Sequence, residues 1–192
     1  MRAFVALDLP DSVAIALGRL QEHVPEGRLV PPENLHLTLL FLDDQPVPAL
    51  EDLHHELGRL APAAFDLRLT GLGSFGGKAP RTLHAEAAPD PALIGLQAQI
   101  REAVRRAGIE RPRTRFRPHV TLARFGAGLG GDGQRRLASF IARHGLLGIP
   151  PAPVESFGLY CSTLRPDGPV YDPLATYPIG AAVRPEVGTN DP

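Results

Sequence analysis

The sequence predicts an α+β fold with largely antiparallel sheets, built as two similar lobes, and three observations carry that prediction. Predicted strands are frequent and several follow one another through short turns, as antiparallel hairpins allow. Helices and strands mix without the regular alternation of a doubly wound parallel sheet. A His-x-Thr strand also occurs twice, at His36-Leu37-Thr38 and His119-Val120-Thr121, with the histidines 83 positions apart. Each copy precedes a helix and a hairpin, so the chain reads as one unit repeated.

The elements follow in order. Residues 2–9 alternate into a first strand, and Asp11 or Ser12 caps a helix to about 23 with Val13, Ala16, Leu17 and Leu20 on one face. Pro31-Pro32 closes a loop before the strand 34–42. A second helix spans 48–60, striped by Leu50, Leu53, Leu57 and Leu60. Strands 65–75 and 81–87 flank Gly76-Gly77-Lys78, a hairpin connection. From Pro91 to Gly108, Leu93, Leu96, Ile100, Ala103 and Val104 fall at helical spacing, and Gly108 supplies the stop. A strand over 116–125 leads into a Gly-rich connector, Gly126 to Gly131, and a helix over 134–144. Strands 153–162 and 169–178 are joined by the turn Arg165-Pro166-Asp167-Gly168. Residues 181–192 have almost nothing to bury and read as a disordered tail.

Bulk properties narrow the function classes. Hydrophobic residues make up 43% and charged residues 21%, which suits a packed core. The net charge is -1, yet Lys78 is the only lysine among 20 basic residues. Enrichment in Arg, Ala, Gly and Pro reads first as genomic bias, which leaves local arginine clusters open to a role. A single cysteine, Cys161, excludes an intrachain disulfide and a multi-cysteine metal site, and its strand pattern predicts a buried structural thiol. No apolar run reaches the roughly 20 residues of a membrane span. The opening strand does not read as a signal peptide, so the expected location is the cytoplasm.

Strand parity gives the repeated motif its chemistry. Side chains alternate between faces, so Leu35, Leu37, Leu39 and Phe41 form a core face while His36, Thr38 and Leu40 point away. In the second copy His119 and Thr121 share a face opposite Val120 and Leu122. Two outward histidines and two hydroxyls suit cleavage of a cyclic phosphodiester. That reaction needs a base for water, an acid for the departing ribose oxygen, and donors for the phosphoryl oxygens. Histidine titrates in the range that permits either proton role. No metal or cofactor is needed, and no carboxylate cluster stands at ligand spacing.

The strings Asn34 to Phe41 and Phe116 to Arg124 resemble the paired signatures of the two-histidine phosphoesterase superfamily, and most resemble its RNA 2′,3′-cyclic phosphodiesterases, once described as 2′-5′ RNA ligases. Arg2 to Asp8, Gly71 to Phe75 and Ser162 to Tyr171 share the resemblance, which covers about 1–180. It implies one bilobal domain over 1–180, with mainly antiparallel sheets lining a central cleft and helices outside. It also implies hydrolysis of RNA or nucleoside 2′,3′-cyclic phosphate ends to a 2′-phosphate by a monomer, with reversible 2′-5′ RNA ligation at the same site. By the same analogy His36 is the proton donor and His119 the proton acceptor, while Thr38, Thr121 and Arg124 bind substrate. The residues alone leave the acid and base labels open.

Strict alternation places Arg124 on the face opposite His119, and only a twist or bulge restores it to a cleft. Arg111, Arg113, Arg115 and Arg117 form an alternating basic edge that either steers an RNA backbone or is merely solvated. Phe75 is a candidate to stack a base, whereas Phe41 points inward by parity. His84 reads as a half-exposed strand residue, and His54 and His55 as solvent-facing. Arg143-His144-Gly145 resembles the catalytic string of histidine phosphatases but ends a helical pattern, so it reads as a helix terminus. Rival functions are a non-catalytic RNA-end binder of the same fold, or a branch acting on ADP-ribose cyclic phosphate or 2′-5′ oligoadenylate.

Overall fold

The computed structural model describes residues 1–165 and 168–180. The expected disordered tail, and Pro166 and Asp167 of the expected turn, lie outside these residues. The elements are β1 (Arg2–Asp8), α1 (Asp11–Gln21), β2 (Arg28–Leu29), β3 (His36–Asp44), α2 (Val47–Gly58), β4 (Asp66–Leu67), β5 (Leu69–Phe75), β6 (Thr82–Ala87), α3 (Pro91–Arg106), β7 (His119–Arg124), α4 (Gly131–His144), β8 (Ala152–Pro153), β9 (Ser156–Arg165) and β10 (Gly168–Pro178), with a single 3-10 turn over Pro32–Asn34. No helix among the described residues is long and apolar enough to cross a membrane.

One antiparallel sheet runs β10-β9-β1-β3-β7-β6-β5, with β2 added against β7. Its two halves meet at β3 and β7, whose register pairs Leu37 with Val120. The repeat is strand–helix–strand–helix, β1-α1-β3-α2 and then β6-α3-β7-α4. The copies are interwoven. Past α2 and the short β4, β5 joins the second copy on β6; past α4 and the short β8, β9 joins the first copy on β1. Helix α1 of the first copy packs under β7, and α3 of the second packs under β3. A single apolar cluster draws on all four helices and both halves of the sheet, including Leu17, Leu53, Ile100, Phe140, Leu37 and Val120.

Differences from the sequence reading have local causes. Helix α1 has Pro10 at its N-cap with no side-chain cap, so neither Asp11 nor Ser12 serves there. Asp90 does cap α3, accepting from the Ala92 N–H at 2.7 Å. The expected strand 65–75 is split: β4 pairs with β8 in a separate small sheet, and β5 joins the main one. The strand expected from 116 begins at His119, because Pro118 has no N–H to give a ladder. Gly108 ends α3 with φ of 73°, in the left-handed region, as expected of a stop. Gly145 instead keeps a helical φ of -62°. It is small because a Cβ there would stand 2.7 Å from the Ile141 carbonyl oxygen. Cys161 is half-exposed, not buried, with its sulfur 3.9 Å from the Asp172 carboxylate.

The parity of both motif strands breaks at the same place. Ala6 pairs with Thr38 and Val5 with Leu40, so Leu39 is an extra residue in β3. His84 pairs with Thr121 and Leu83 with Ala123, so Leu122 is an extra residue in β7. Each bulge follows the motif threonine, and it turns the next pair of residues over. Leu40 and Ala123 therefore enter the core, and Phe41 and Arg124 leave it.

A bulge interrupts the ladder, and buried backbone groups need partners. Two buried glutamines serve these two bulges. Gln21, at the end of α1, donates to the Val30 carbonyl at 2.8 Å and the Leu122 carbonyl at 2.9 Å. Gln97, on α3, donates to the Leu39 carbonyl at 3.4 Å. Replacing Gln21 by Leu removes the donor to the Val30 carbonyl and leaves the Leu122 carbonyl with the Val30 N–H alone, at 2.9 Å. Urea unfolding of Gln21→Leu is expected to show a loss of about 1–3 kcal/mol. Gln97→Leu, with its longer bond, is expected to lose less.

Candidate active site

The junction of β3 and β7 sets the geometry. With Leu37 opposite Val120, antiparallel register brings His36 beside Thr121 and Thr38 beside His119. All four side chains, with Arg124, line one cavity of about 470 Å³ on the sheet face away from the helices. The sequence reading of the histidine and threonine faces therefore agrees with the structure.

Both imidazoles are held alike. His36 Nδ1 lies 2.8 Å from the Asn34 carbonyl, and His119 Nδ1 lies 2.7 Å from the Arg117 carbonyl. A carbonyl only accepts, so Nδ1 carries the hydrogen and Nε2 is the working nitrogen. At His36 the Thr38 hydroxyl is 3.0 Å from Nε2. Burial holds His36 below the ordinary histidine range. The Asn34 carbonyl opposes this, the charges of Arg124 and His119 reinforce it, and Asp8 opposes it again. His36 is therefore neutral at pH 7 in the free protein, and Thr38 donates to it.

The neighbouring strands extend the symmetry. Asp8 on β1 is the register partner of His36, and Glu86 on β6 is that of His119. Asp8 accepts from Ser156 at 2.6 Å and from the Tyr160 hydroxyl. Each histidine also leans on a ring from the adjacent strand, but on different ones. Phe4 lies 5.0 Å from the His36 ring, and His84 lies 5.1 Å from the His119 ring. Tyr171 closes the far side of His36 at 5.2 Å.

For Arg124 the structure has the bulge that the sequence reading left open. Simple alternation sets it opposite His119, but the Leu122 bulge returns it to the cleft, beside His36 and Thr121. Phe41 holds the matching motif position in the first copy. Parity predicts it in the core, yet it is 57% exposed and lines the cavity. Phe75 lines the cavity too, stacked on His84 at 4.1 Å and edge-on to His119 at 4.9 Å.

His84, expected half-exposed, is only 2% exposed. Gly73 gives it room, because a Cβ there would meet His84 Nε2 at 2.7 Å. Only its shared face with Thr82 and Glu86 hinted at the cleft, and no local pattern signals the missing side chain of Gly73. Arg111 to Arg117 run as coil along the cleft wall, not as a strand edge, and Arg111 pairs with Asp43. Arg143-His144-Gly145 is the end of α4, away from this cavity. His54 is exposed, with Nδ1 2.9 Å from the Tyr177 hydroxyl. Among the described residues, no group of three or more His, Cys, Asp or Glu is placed to hold a metal ion.

Comparisons with known proteins agree with this architecture. A family model for the 2′-5′ RNA ligase superfamily matches residues 9–130. A Thermus thermophilus protein named RNA 2′,3′-cyclic phosphodiesterase is 39% identical, over 92% of this chain and 89% of its own. An Archaeoglobus fulgidus protein of the same name is 27% identical, over 92% and 99%. A crystal structure of a Thermus thermophilus protein superimposes with a TM-score of 0.71 at 34% identity, covering 94% of this chain and 98% of that one. Escherichia coli LigT complexed with 3′-AMP gives a TM-score of 0.70 at 26% identity, with coverage of 94% and 98%.

His84 makes stability pH-dependent. Burial first, and then the charges of His119 and Arg117, push it down to about 4. In the unfolded chain it titrates near about 6.5. Between these values the unfolded chain binds one more proton, so His84 removes about 1.4 kcal/mol of stability per pH unit as pH falls. Urea unfolding of His84→Phe at pH 7, 5.5 and 4.5 is expected to show a shallower decline than the parent protein.

Proposed function

The chain belongs to the 2′-5′ RNA ligase superfamily, and from that membership we propose that it hydrolyses 2′,3′-cyclic phosphate ends of RNA, or nucleoside 2′,3′-cyclic phosphates, to 2′-phosphates. The observation that carries the reading is the pair of Nδ1-anchored histidines whose Nε2 atoms share one cavity with two threonines and Arg124. In this reading the protein acts as a monomeric domain over 1–180, on RNA ends in the cytoplasm.

Water attacks phosphorus as a base removes its proton. The bond from phosphorus to O3′ breaks, and an acid supplies the proton that O3′ takes up. The product carries a 2′-phosphate and a free 3′-hydroxyl, and the two histidines have exchanged protonation states. Thr38, Thr121 and Arg124 donate to the phosphoryl oxygens, whose charge grows in the transition state. With an RNA 5′-hydroxyl in place of water as the nucleophile, the same forward steps form a 2′-5′ bond, and their reverse cleaves it.

In the primary assignment His36 is the acid and His119 the base. His36 is neutral in the free protein, so it takes up its proton when the phosphodiester brings negative charge beside it. The same lowered basicity favours the converse division, with His36 removing the proton from water. Leaving-group chemistry separates the two. A substrate with sulfur in place of O3′ departs as a thiolate and needs no acid. It is expected to restore turnover to His36→Ala and not to His119→Ala; restoration in His119→Ala alone would reverse the labels.

The reading itself is tested with cytidine 2′,3′-cyclic phosphate in the presence of a chelator. The parent protein is expected to release the 2′-phosphate. His36→Ala and His119→Ala should each lose about 10²- to 10⁴-fold in kcat. Arg124→Ala should lose a charge-assisted contact to phosphate, worth roughly 1.5–3 kcal/mol in kcat/KM. Parental rates in both histidine variants would exclude the acid–base scheme, and binding without turnover by the parent protein would favour a non-catalytic RNA-end binder.

A further inference from the structure

The cavity holding the two histidines continues past His119. It shares Arg2, Phe41, Phe75 and His119 with an adjoining cavity of about 530 Å³. That cavity in turn shares Leu40, Gln97, Arg111 and Pro112 with a third of about 820 Å³, which reaches the outer turns of α3. The three form one open groove. In the opposite direction, beyond His36, a cavity of about 340 Å³ ends against Arg28, which lies over Gly168. The two arms are thus unequal, one short and the other long.

The long arm is cationic by placement, since the chain as a whole has a net charge of -1. Arg115 and Arg117 line its first stretch, and Arg113 and Arg101 line its last. Among the described residues, none of these four has a carboxylate within ion-pair distance. The carboxylates nearby are mostly engaged, Asp43 by Arg111 and Glu102 by Arg105 and Arg106. Glu110 remains, exposed on the groove wall. Unpaired guanidinium groups along a groove suit a chain of phosphates. The exposed ring of Phe41, with Phe75 behind it, adds flat apolar surface where the groove leaves the histidines. A cationic groove that opens on an exposed ring fits a single strand, whose bases are free to stack.

We propose that the long arm is a binding track for single-stranded RNA attached to the reacting end, with Phe41 receiving a base near the cleft and Arg101, Arg113 and Arg115 engaging phosphates farther out. This rests on the RNA-end reading above and adds a preference: the substrate is a polynucleotide, and a lone nucleotide fills only the start of the site.

The experiment compares kcat/KM for cytidine 2′,3′-cyclic phosphate with that for an octaribonucleotide bearing the same end. At about 50 mM salt the octamer is expected to be preferred by about tenfold or more, with the preference falling as salt rises, at a log–log slope of about -0.7 per engaged phosphate. The double variant Arg101→Glu/Arg113→Glu should bring the preference to about unity while mononucleotide turnover stays within about twofold. No preference in the parent protein, or an undiminished one in the double variant, overturns the track. If neither substrate is turned over, the hydrolase reading fails on its own. Fluorescence anisotropy with a 3′-phosphorylated octamer then decides the track, which predicts at least about tenfold weaker binding by the double variant. Equal binding by both proteins overturns it.

Discussion

The pairing of Leu37 with Val120 is the constraint on which the site depends. It is the register between the two halves of the sheet, and antiparallel geometry turns it into a local two-fold relation. Each histidine is thereby set beside the other copy's threonine. Side chains have a period of two along a strand, so a slip of one residue on either side would send a histidine into the core and a leucine into the cleft. Burial of Leu37 and Val120 themselves opposes such a slip, since both are fully enclosed. The apolar face of the motif strands thus determines where the polar face works.

Much of this was legible in the sequence, and the exceptions share a cause. The alternation around His36 and His119 is local, so parity located four site residues. It failed three residues past each histidine, where Leu39 and Leu122 are inserted against the neighbouring strand. A bulge is a relation between two strands, and the single strand's spelling carries no mark of it. Simple alternation set Phe41 and Arg124 toward the core for that reason alone. The partners of the bulges, Gln21 and Gln97, lie on helices from the opposite copies, and a glutamine within a helical pattern reads as ordinary surface. His84 was misjudged because its burial comes from Phe75, His119 and the bare backbone of Gly73, which only the fold assembles.

The two copies keep their backbone plan and diverge in what surrounds each histidine. His36 rests on Phe4 and faces Tyr171, in an apolar setting that keeps it neutral. His119 rests on a second imidazole and a phenyl ring at the mouth of the longer groove. The anchoring of Nδ1 is the same in both copies, while the rings and charges around the two imidazoles differ. The asymmetry of the reaction then needs no asymmetry in the motif.

The interweaving of the copies bears on how the chain acquires its shape. Strand β1 cannot obtain its second neighbour until β9 exists, with Ala3 paired to Cys161 and Leu7 to Phe157. During synthesis the first copy must therefore wait with β1 open on one edge, and the half-built sheet presents unpaired backbone to any passing strand. Contacts so distant in sequence also slow the closing of the sheet. The arrangement that welds both lobes into one core makes completion of the first copy's sheet wait on β9.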